Sequence, residues 1–175
     1  MTVAADGDLP ALVLSVPTGD DIDRIAEICQ EADIQEWTSI VRGYQRSDAE
    51  FFVEQVVAKG WNEGRELTWA IREADAGASA HLVGMLGITL SGPEGARTGE
   101  VGYWLAAAAR GRGTMTRAVA ALIDMAFDSS GPLSLSALRW RCDIHDSSCG
   151  PVPNWASWKV AWSLGFQREG RVRRF

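Results

Sequence analysis

The spacing of apolar residues divides the chain into short strands and amphipathic helices. Residues 66–73 alternate, with Leu67, Trp69 and Ile71 on one face, which is typical of a half-buried strand. From Met115 to Phe127 apolar side chains recur at helical intervals, which indicates one face of a helix. The predicted strands cover residues 12–16, 66–73, 81–90, 100–105, 135–143 and 166–175. The predicted helices begin near residues 19, 47, 114 and 154, and the second and last of them end at Gly60 and Gly165.

Length and composition indicate one globular domain of mixed α/β class. The chain has 175 residues, of which 46% are hydrophobic and 23% charged, so a single domain over residues 1–175 with a sizeable core is expected. Residues 1–10 precede the first predicted strand and are expected to form a flexible N-terminus. Neither an 18-residue apolar run nor a signal-peptide pattern is present, and three cysteines form a sparse, odd set. The simplest interpretation is a cytoplasmic protein with no membrane partner.

The net charge of −6 is distributed unevenly along the chain. Residues 1–104 contain seven basic and eighteen acidic side chains, whereas residues 105–175 contain ten basic and five acidic ones. The basic half suits a polyanionic cofactor and the acidic half suits a cationic acceptor such as an amine. The alternative is that these charges only coat a soluble surface. The acidic balance of the whole chain argues against a nucleic-acid partner.

The most informative stretch lies after the strand at residues 100–105. There the turn Arg110-Gly111-Arg112-Gly113 leads into the helix that begins near Thr114, whose hydroxyl is a suitable cap for the first free amides. Glycines allow the backbone amides to point inward, and the helix start adds the positive end of its dipole. The stretch therefore predicts a phosphate or diphosphate site. The alternative is an ordinary strand-to-helix loop that uses glycine for its geometry, and neither a Gly-x-Gly-x-x-Gly pattern nor a P-loop is present.

Two motif blocks resemble the GNAT N-acetyltransferases. The first, Arg110-x-x-Gly113-x-Met115, resembles the acetyl-coenzyme A signature of that family, with Met115 in place of the usual small residue. The second block begins at Asn154, about 40 residues after the first, and continues through Ser157 to a Gly-Phe pair. It resembles the family's C-terminal helix. The strand that begins at Glu100 is similar to that of the branch that acetylates the N-termini of ribosomal proteins. The resemblance covers residues 12–175.

The resemblance implies the GNAT fold, a twisted, mainly antiparallel mixed sheet that splays open after its fourth strand and has helices on both faces. The pantetheine arm of acetyl-CoA would pair with the backbone of Trp104 and Leu105. Asn154 would contact the cofactor arm near the thioester, although it is equally suited to cap the helix. The diphosphate would be held at Arg110, Gly111, Arg112, Gly113, Thr114 and Met115.

Acyl transfer to an amine requires a base and a proton donor for the leaving thiolate. Glu100 is the predicted base, directly or through water, and its alternative is a surface carboxylate at a strand end. Ser157 is the predicted donor, and its alternative is a helix serine bonded to its own backbone. Many family members place a tyrosine where this chain has Ala161, which makes a donor elsewhere more necessary.

The region of the first two predicted helices, with the irregular residues 32–44 between them, would wall the acceptor pocket, or would simply cover the sheet. Trp37 and Tyr44 look exposed there and are candidate substrate-binding residues, together with His145 in a loop longer than the family's usual turn. A loop histidine exposed to solvent is the alternative for His145. Two cysteines, Cys142 and Cys149, flank it, but this set does not form a closed metal site, so no metal is expected.

The sequence thus predicts an acetyl-CoA-dependent N-acetyltransferase that acts on a primary amine by direct, sequential transfer. No cysteine sits beside the base that a covalent intermediate would need. The alternatives are a non-catalytic coenzyme A-binding module and a transferase of a longer acyl group. The family usually has a further strand after the position of Phe175. A bare sheet edge there would favour a homodimer, unless an earlier segment covers the edge or the sequence ends short of that strand.

Overall fold

The residues that the structure describes fold around a six-stranded mixed sheet. The computed structural model describes residues 1–74, 81–93, 95–148 and 150–170. The strands follow one another across the sheet in chain order; β1 to β5 are antiparallel and β6 is parallel to β5. The strands are β1 (Thr2–Val3), β2 (Ala11–Ser15), β3 (Glu66–Ala74), β4 (His81–Ser91), β5 (Thr98–Leu105) and β6 (Ala137–Trp140), and a separate hairpin contains β7 (Ile144–Ser147) and β8 (Gly150–Pro153).

Helices cover both faces of this sheet. One core lies between the sheet and α5, and the other lies between the sheet and the helices α1 and α3. A π-helical segment, Phe52–Val57, joins α3 to α4. The helices are α1 (Ile22–Ile28), α2 (Ala32–Trp37), α3 (Arg46–Phe51), α4 (Ala58–Glu63), α5 (Thr114–Phe127) and α6 (Trp155–Ser163). The predicted fold class, a mixed sheet with helices on both faces, is confirmed.

The N-terminus is ordered into the sheet, which differs from the flexible segment predicted for residues 1–10. Thr2 and Val3 pair with β2. The amino group of Met1 donates to the carbonyl of Leu14 at 2.8 Å. This pairing satisfies backbone groups on the outer edge of β2 that composition alone does not reveal.

Gly60 lies inside a helix and does not end it. A Cβ atom at this position would lie 2.2 Å from the carbonyl oxygen of Glu66, so glycine allows the helix to pass close to the start of β3. The helix continues to Glu63 and ends at Gly64, which adopts a left-handed φ of +61°. The prediction read a packing glycine as a stop signal.

The C-terminal third also differs from its predicted elements. Only residues 137–140 of the predicted strand 135–143 pair with β5, and the predicted loop 147–153 lies largely in the β7–β8 hairpin. Residues 166–170 of the predicted last strand have no regular structure, and residues 171–175 lie outside the described residues. The amide of Phe166 donates to Ala161 at 3.1 Å, so the chain there closes the end of α6 and does not extend as a strand.

The sheet opens beside the second half of β5. The ladder between β5 and β6 ends at Val101 and Trp140, whereas β5 continues to Leu105. The amide of Ala106 donates to the carbonyl of Val83 at 2.8 Å, so the even-numbered residues of β5 direct their backbone groups towards β4. Tyr103 and Leu105 therefore direct theirs into the opening. The predicted splay after the fourth predicted strand is present, after β5.

Candidate active site

The turn before α5 contains a row of backbone amides that have no hydrogen-bond partner among the described residues. Gly111 and Gly113 adopt φ values of +76° and +77°, a left-handed conformation that favours glycine. The first helical hydrogen bond of α5 runs from the amide of Arg117 to the carbonyl of Gly113 at 3.0 Å. The amides of residues 111–116 have no hydrogen-bond partner within the described part of the chain. We call these six residues the anion turn, because free amides at a helix start are suited to bind a phosphate.

Arg110 braces the anion turn and does not extend into it. Its guanidinium donates to the carbonyl of Leu105 at 2.8 Å, to Glu31 at 3.1 Å and to Asp33. The hydrogen bond from Arg110 is the main reason that the pKa of Asp33 lies below its usual value. Glu31 also accepts the amide of Ala107 at 2.9 Å. These contacts tie the start of α2 to the loop that follows β5, which the sequence did not reveal.

A carboxylate that the sequence analysis missed lies beside the anion turn. Glu73, at the end of β3, accepts from Arg112 with both oxygens at 3.1 Å. The hydroxyl of Thr114 donates to Glu73 at 3.0 Å, so it does not cap α5 as predicted, and Gly113 takes the capping position. The side chain of Met115 is buried in the core, which leaves only its amide at the turn. The larger residue at this position therefore does not narrow the turn.

The backbone of Trp104 differs in direction from that of Leu105. Trp104 is the register partner of Met85 and directs its backbone groups to β4, whereas the backbone groups of Leu105 and Tyr103 face the opening. The carbonyl of Leu105 already accepts from Arg110. The groups placed to pair with an extended ligand are therefore the backbone groups of Tyr103 and the amide of Leu105. The side chain of Trp104 lies on the face of the sheet that α1 and α3 cover.

Ser157 belongs to a hydrogen-bonded cluster with two aromatic residues. Its hydroxyl accepts from Trp140 Nε1 at 3.0 Å and donates to Tyr103 Oη at 3.1 Å, and Tyr103 donates in turn to the Ser157 carbonyl at 2.9 Å. Burial raises the pKa of Tyr103 to about 12. Asn154 caps α6 by accepting the Ser157 amide at 3.0 Å. The sequence motif contained Tyr103, but nothing in its spacing showed that its hydroxyl meets Ser157.

Glu100 lies on the opposite face of β5 from this cluster. It shares the Trp104 face of the strand, because alternate residues point the same way. One oxygen accepts two hydrogen bonds from Arg141, at 2.6 and 2.8 Å, and the Glu100 side chain is 39% exposed. No contact among the described residues joins Glu100 to Ser157, so the two predicted catalytic groups lie on different faces of the sheet.

Two of the three predicted acceptor residues meet each other. The rings of Trp37 and His145 stack with centroids 4.1 Å apart, and His145 Nδ1 lies 3.3 Å from Glu36. This places β7 against the end of α2. Tyr44 is buried in the α1–α3 core and is not exposed as predicted, because the segment folds over the sheet. Among the described residues no group of three or more histidine, cysteine or acidic side chains is placed to bind a metal ion.

The described cysteines are poor nucleophiles. Cys29 is buried, and burial, reinforced by the charge of Glu31, raises its pKa to about 12. Burial also raises the pKa of Cys142. Neither thiol therefore has the lowered pKa that is typical of a nucleophilic cysteine.

A family model described as "Acetyltransferase (GNAT) domain" matches residues 11–167. The chain belongs to the GNAT acetyltransferase family. The predicted family is thus confirmed, and with it the class of enzyme, an acetyl-CoA-dependent N-acetyltransferase. No curated protein matches the chain. None of the described helices has the length and apolarity needed to cross a bilayer.

Solved structures share the GNAT fold at low identity. The ribosomal-protein-S5-alanine acetyltransferase from Vibrio fischeri has 18% identity and a TM-score of 0.71, over 97% of this chain and 85% of that one. Mycobacterium smegmatis RimJ in complex with CoA-disulfide has 19% identity and a TM-score of 0.73, over 92% and 72%. The microcin C7 self-immunity acetyltransferase MccE, in complex with acetyl-CoA and AMP, has 22% identity and a TM-score of 0.69, over 91% and 80%.

Proposed function

We propose that this GNAT protein transfers the acetyl group of acetyl-CoA to a primary amine by direct attack of the amine on the thioester. The observation that carries the proposal is the position of the anion turn at the end of the opening in the sheet. Six backbone amides that have no hydrogen-bond partner among the described residues lie there. Two of the structural relatives are complexes with CoA-disulfide or acetyl-CoA, which supports the same ligand for this chain.

In the proposed complex the diphosphate binds the amides of the anion turn. The pantetheine arm extends along the opening and pairs with the backbone of Tyr103, and the amide of Leu105 faces the thioester carbonyl. This arrangement differs from the predicted use of Trp104. Asn154 contacts the arm with its side-chain NH2 group, because its oxygen is occupied as the cap of α6. Arg110 and Arg112 act indirectly, since carboxylates hold both guanidinium groups.

The proposed chemistry moves one proton off the amine and one onto the thiolate. Glu100 accepts the proton of the attacking amine, directly or through water, and Arg141 keeps the carboxylate in place. The amide of Leu105 is a suitable donor to the tetrahedral oxyanion. When the carbon–sulfur bond breaks, Ser157 donates its hydroxyl proton to the sulfur. Tyr103, which shares a hydrogen bond with Ser157, returns a proton to it and is itself reprotonated from solvent, and Glu100 releases the amine proton to solvent. No covalent enzyme intermediate forms.

Acceptor binding is proposed at the face of β5 that carries Glu100. The stacked pair of Trp37 and His145 borders this side, and the excess of acidic residues in the first half of the chain suits a cationic amine. A cytoplasmic location and a homodimer stay predictions.

The proposal is tested with the full chain by two measurements. Calorimetric titration with acetyl-CoA should show binding, and thiol release in the presence of a panel of primary amines should show turnover. Absence of binding to any form of coenzyme A would overturn the proposal. Tight binding with no turnover on any amine would favour the alternative of a non-catalytic binding module, and faster transfer from longer acyl-CoAs would favour the other alternative.

A further inference from the structure

A cavity of about 360 Å³ lies on the Glu100 face of the sheet, beside Trp104. Its walls come from α1, the loop before α3 and the π-helical segment. Neither motif block contributes to it, Trp104 comes from β5, and sequence spacing gave no sign that these residues meet. The residues that define its chemistry are Ile25, Cys29, Ile40, Tyr44, Phe52 and Val56.

The lining of this cavity is uncharged except at one point. Among the described residues no arginine or lysine lines it and Asp48 is the one carboxylate, which accepts the backbone amide of Gln45 at 2.7 Å. Burial raises the pKa of the Cys29 thiol to about 12 and raises the pKa of the Tyr44 phenol, so both groups are neutral at physiological pH. A cavity of this character favours an apolar occupant over an anion or a polycation.

Two further observations mark the cavity as a binding site. Phe51 and Val41 line its mouth and are 62% and 58% exposed, although they are large apolar side chains that burial would stabilise. The wall that contains Phe52 and Val56 is a π-helical segment, a rare conformation that occurs frequently at functional sites. Exposed apolar side chains at the entrance of an apolar cavity indicate a ligand that covers them.

The cavity adjoins the place where acetyl transfer is proposed. Trp104 borders the cavity and is followed by Leu105, whose amide faces the opening of the sheet. Glu100 shares the face of β5 that carries Trp104. A group seated in the cavity would therefore hold an attached amine on the side of the sheet where Glu100 accepts its proton.

We propose that the acceptor is a primary amine that carries an apolar group the size of an aromatic ring, and that this group binds in the cavity beside Trp104. The inference rests on the proposed function and names the class of its acceptor. The volume lies at the lower end of the range of ligand pockets, about 300–1,000 Å³, so it is large enough to hold an aromatic ring and too small for a large scaffold. An arylalkylamine and a peptide that begins with an aromatic residue share this chemistry.

The experiment compares acceptors and one cavity-filling variant. 2-Phenylethylamine and a peptide with N-terminal phenylalanine are compared with putrescine and glucosamine, using kcat/KM at saturating acetyl-CoA. The kcat/KM of at least one aromatic acceptor should exceed that of both polar ones by about tenfold or more. The better of the two aromatic acceptors shows whether the natural acceptor is a small amine or a peptide. Val56→Trp should lower kcat/KM for that acceptor by about tenfold and leave the Kd for acetyl-CoA unchanged. The matched control is Val16→Trp, at an exposed position outside the cavity lining.

A second variant keeps the proposal open to refutation if Val56→Trp does not fold. Phe51→Ala alters only the exposed mouth and should reduce the preference for the aromatic acceptor. The inference would be overturned if putrescine or glucosamine were turned over as well as or better than the aromatic acceptors, with no effect of either variant. The proposed function would then still stand. A change in acyl-chain preference without a change in amine preference would also overturn it, because the acyl group would then occupy the cavity. Absence of coenzyme A binding would overturn the proposed function, and this inference with it.

Discussion

The anion turn and the cavity beside Trp104 flank the same strand, β5, but they are built differently. The anion turn is one contiguous stretch, residues 111–116, and its binding groups are backbone amides oriented by two glycines and a helix start. The cavity takes its side chains from positions as far apart as Ile25 and Trp104. A site made from consecutive backbone groups can tolerate many side chains, whereas a site made from scattered side chains changes with each of them.

The two regions are also held in place differently. The shape of the anion turn depends on the local conformations of Gly111 and Gly113. The start of α1, a wall of the cavity, is fixed to β3 by an ion pair between Asp21 and Arg72 at 2.7 Å, with side chains 5% and 17% exposed. Substitutions whose effects on the Kd for acetyl-CoA, on kcat and on the free energy of unfolding are measured separately can therefore distinguish the two regions.

The largest effect is expected at Glu100. Glu100→Gln keeps the size of the side chain but cannot accept the amine proton, so kcat should fall by about 10³-fold. The Kd for acetyl-CoA should stay unchanged, because Glu100 is separated in sequence from the anion turn and forms its described hydrogen bonds with Arg141. Rate assays with calorimetry check both, and Glu66→Gln at the exposed start of β3 serves as the control. An unchanged kcat would remove Glu100 from the proposed chemistry.

The next effect concerns the ion pair below the cavity wall. Asp21→Asn should lower the free energy of unfolding by about 3 kcal/mol, because Arg72 would lose its buried charged partner. Urea unfolding measures this change, and Asp20→Asn at the exposed neighbouring position is the matched control. An equal, small effect of both variants would show that the pair does not hold the wall.

The same pair predicts a dependence on pH. Burial alone would raise the pKa of Asp21, but hydrogen bonds from Arg72 and Thr18 outweigh it and leave this pKa below its usual value. The stabilisation is therefore fully present above the unfolded pKa of about 3.9 and is lost as the pH falls through the lower folded value. The stability difference between the native protein and Asp21→Asn should be constant from pH 7 to about 5 and shrink in stronger acid.

A smaller effect is expected for the geometry of the anion turn. Gly113→Val places a β-branched residue at a φ of +77°, which should shift the amides and raise the Kd for acetyl-CoA by at least about tenfold. Gly95→Val is the matched control, because Gly95 has a φ of +80° and open space around it but lies in a distant loop. If both variants bind acetyl-CoA equally well, the diphosphate does not use these amides.

The smallest effect is expected at Glu73. Its carboxylate lies beside the anion turn, so Glu73→Gln should tighten acetyl-CoA binding by about threefold at low salt, and by less at high salt. Glu63→Gln on α4 controls for the change in net charge. Weaker binding by Glu73→Gln would instead mean that Glu73 positions Arg112 for the ligand.

Local patterns explain which predictions succeeded. The helical spacing of α5 reflects one buried face, so periodicity was sufficient to place this helix. β3 is buried on both faces from Leu67 to Ile71, and its alternation separates the large apolar residues on the α5 face from the smaller Thr68 and Ala70 on the other face. Gly111 and Gly113 identified the anion turn, because their left-handed conformation is a property of each residue itself. Two predictions relied on a single residue or on the end of the chain, and the structure differs from both. Gly60 lies inside a helix, and residues 2 and 3 pair with β2.

The sequence by itself determined the order of the main strands and helices, the family and the position of the anion turn, since each depends on neighbours along the chain. The tertiary structure alone decided that Glu73 and Arg110 brace this turn, that Tyr103 meets Ser157, and that Trp104 borders an apolar cavity. The physical reason is range: backbone conformation and periodicity act over a few residues, whereas side-chain hydrogen bonds and cavities join segments that only the folded sheet brings together.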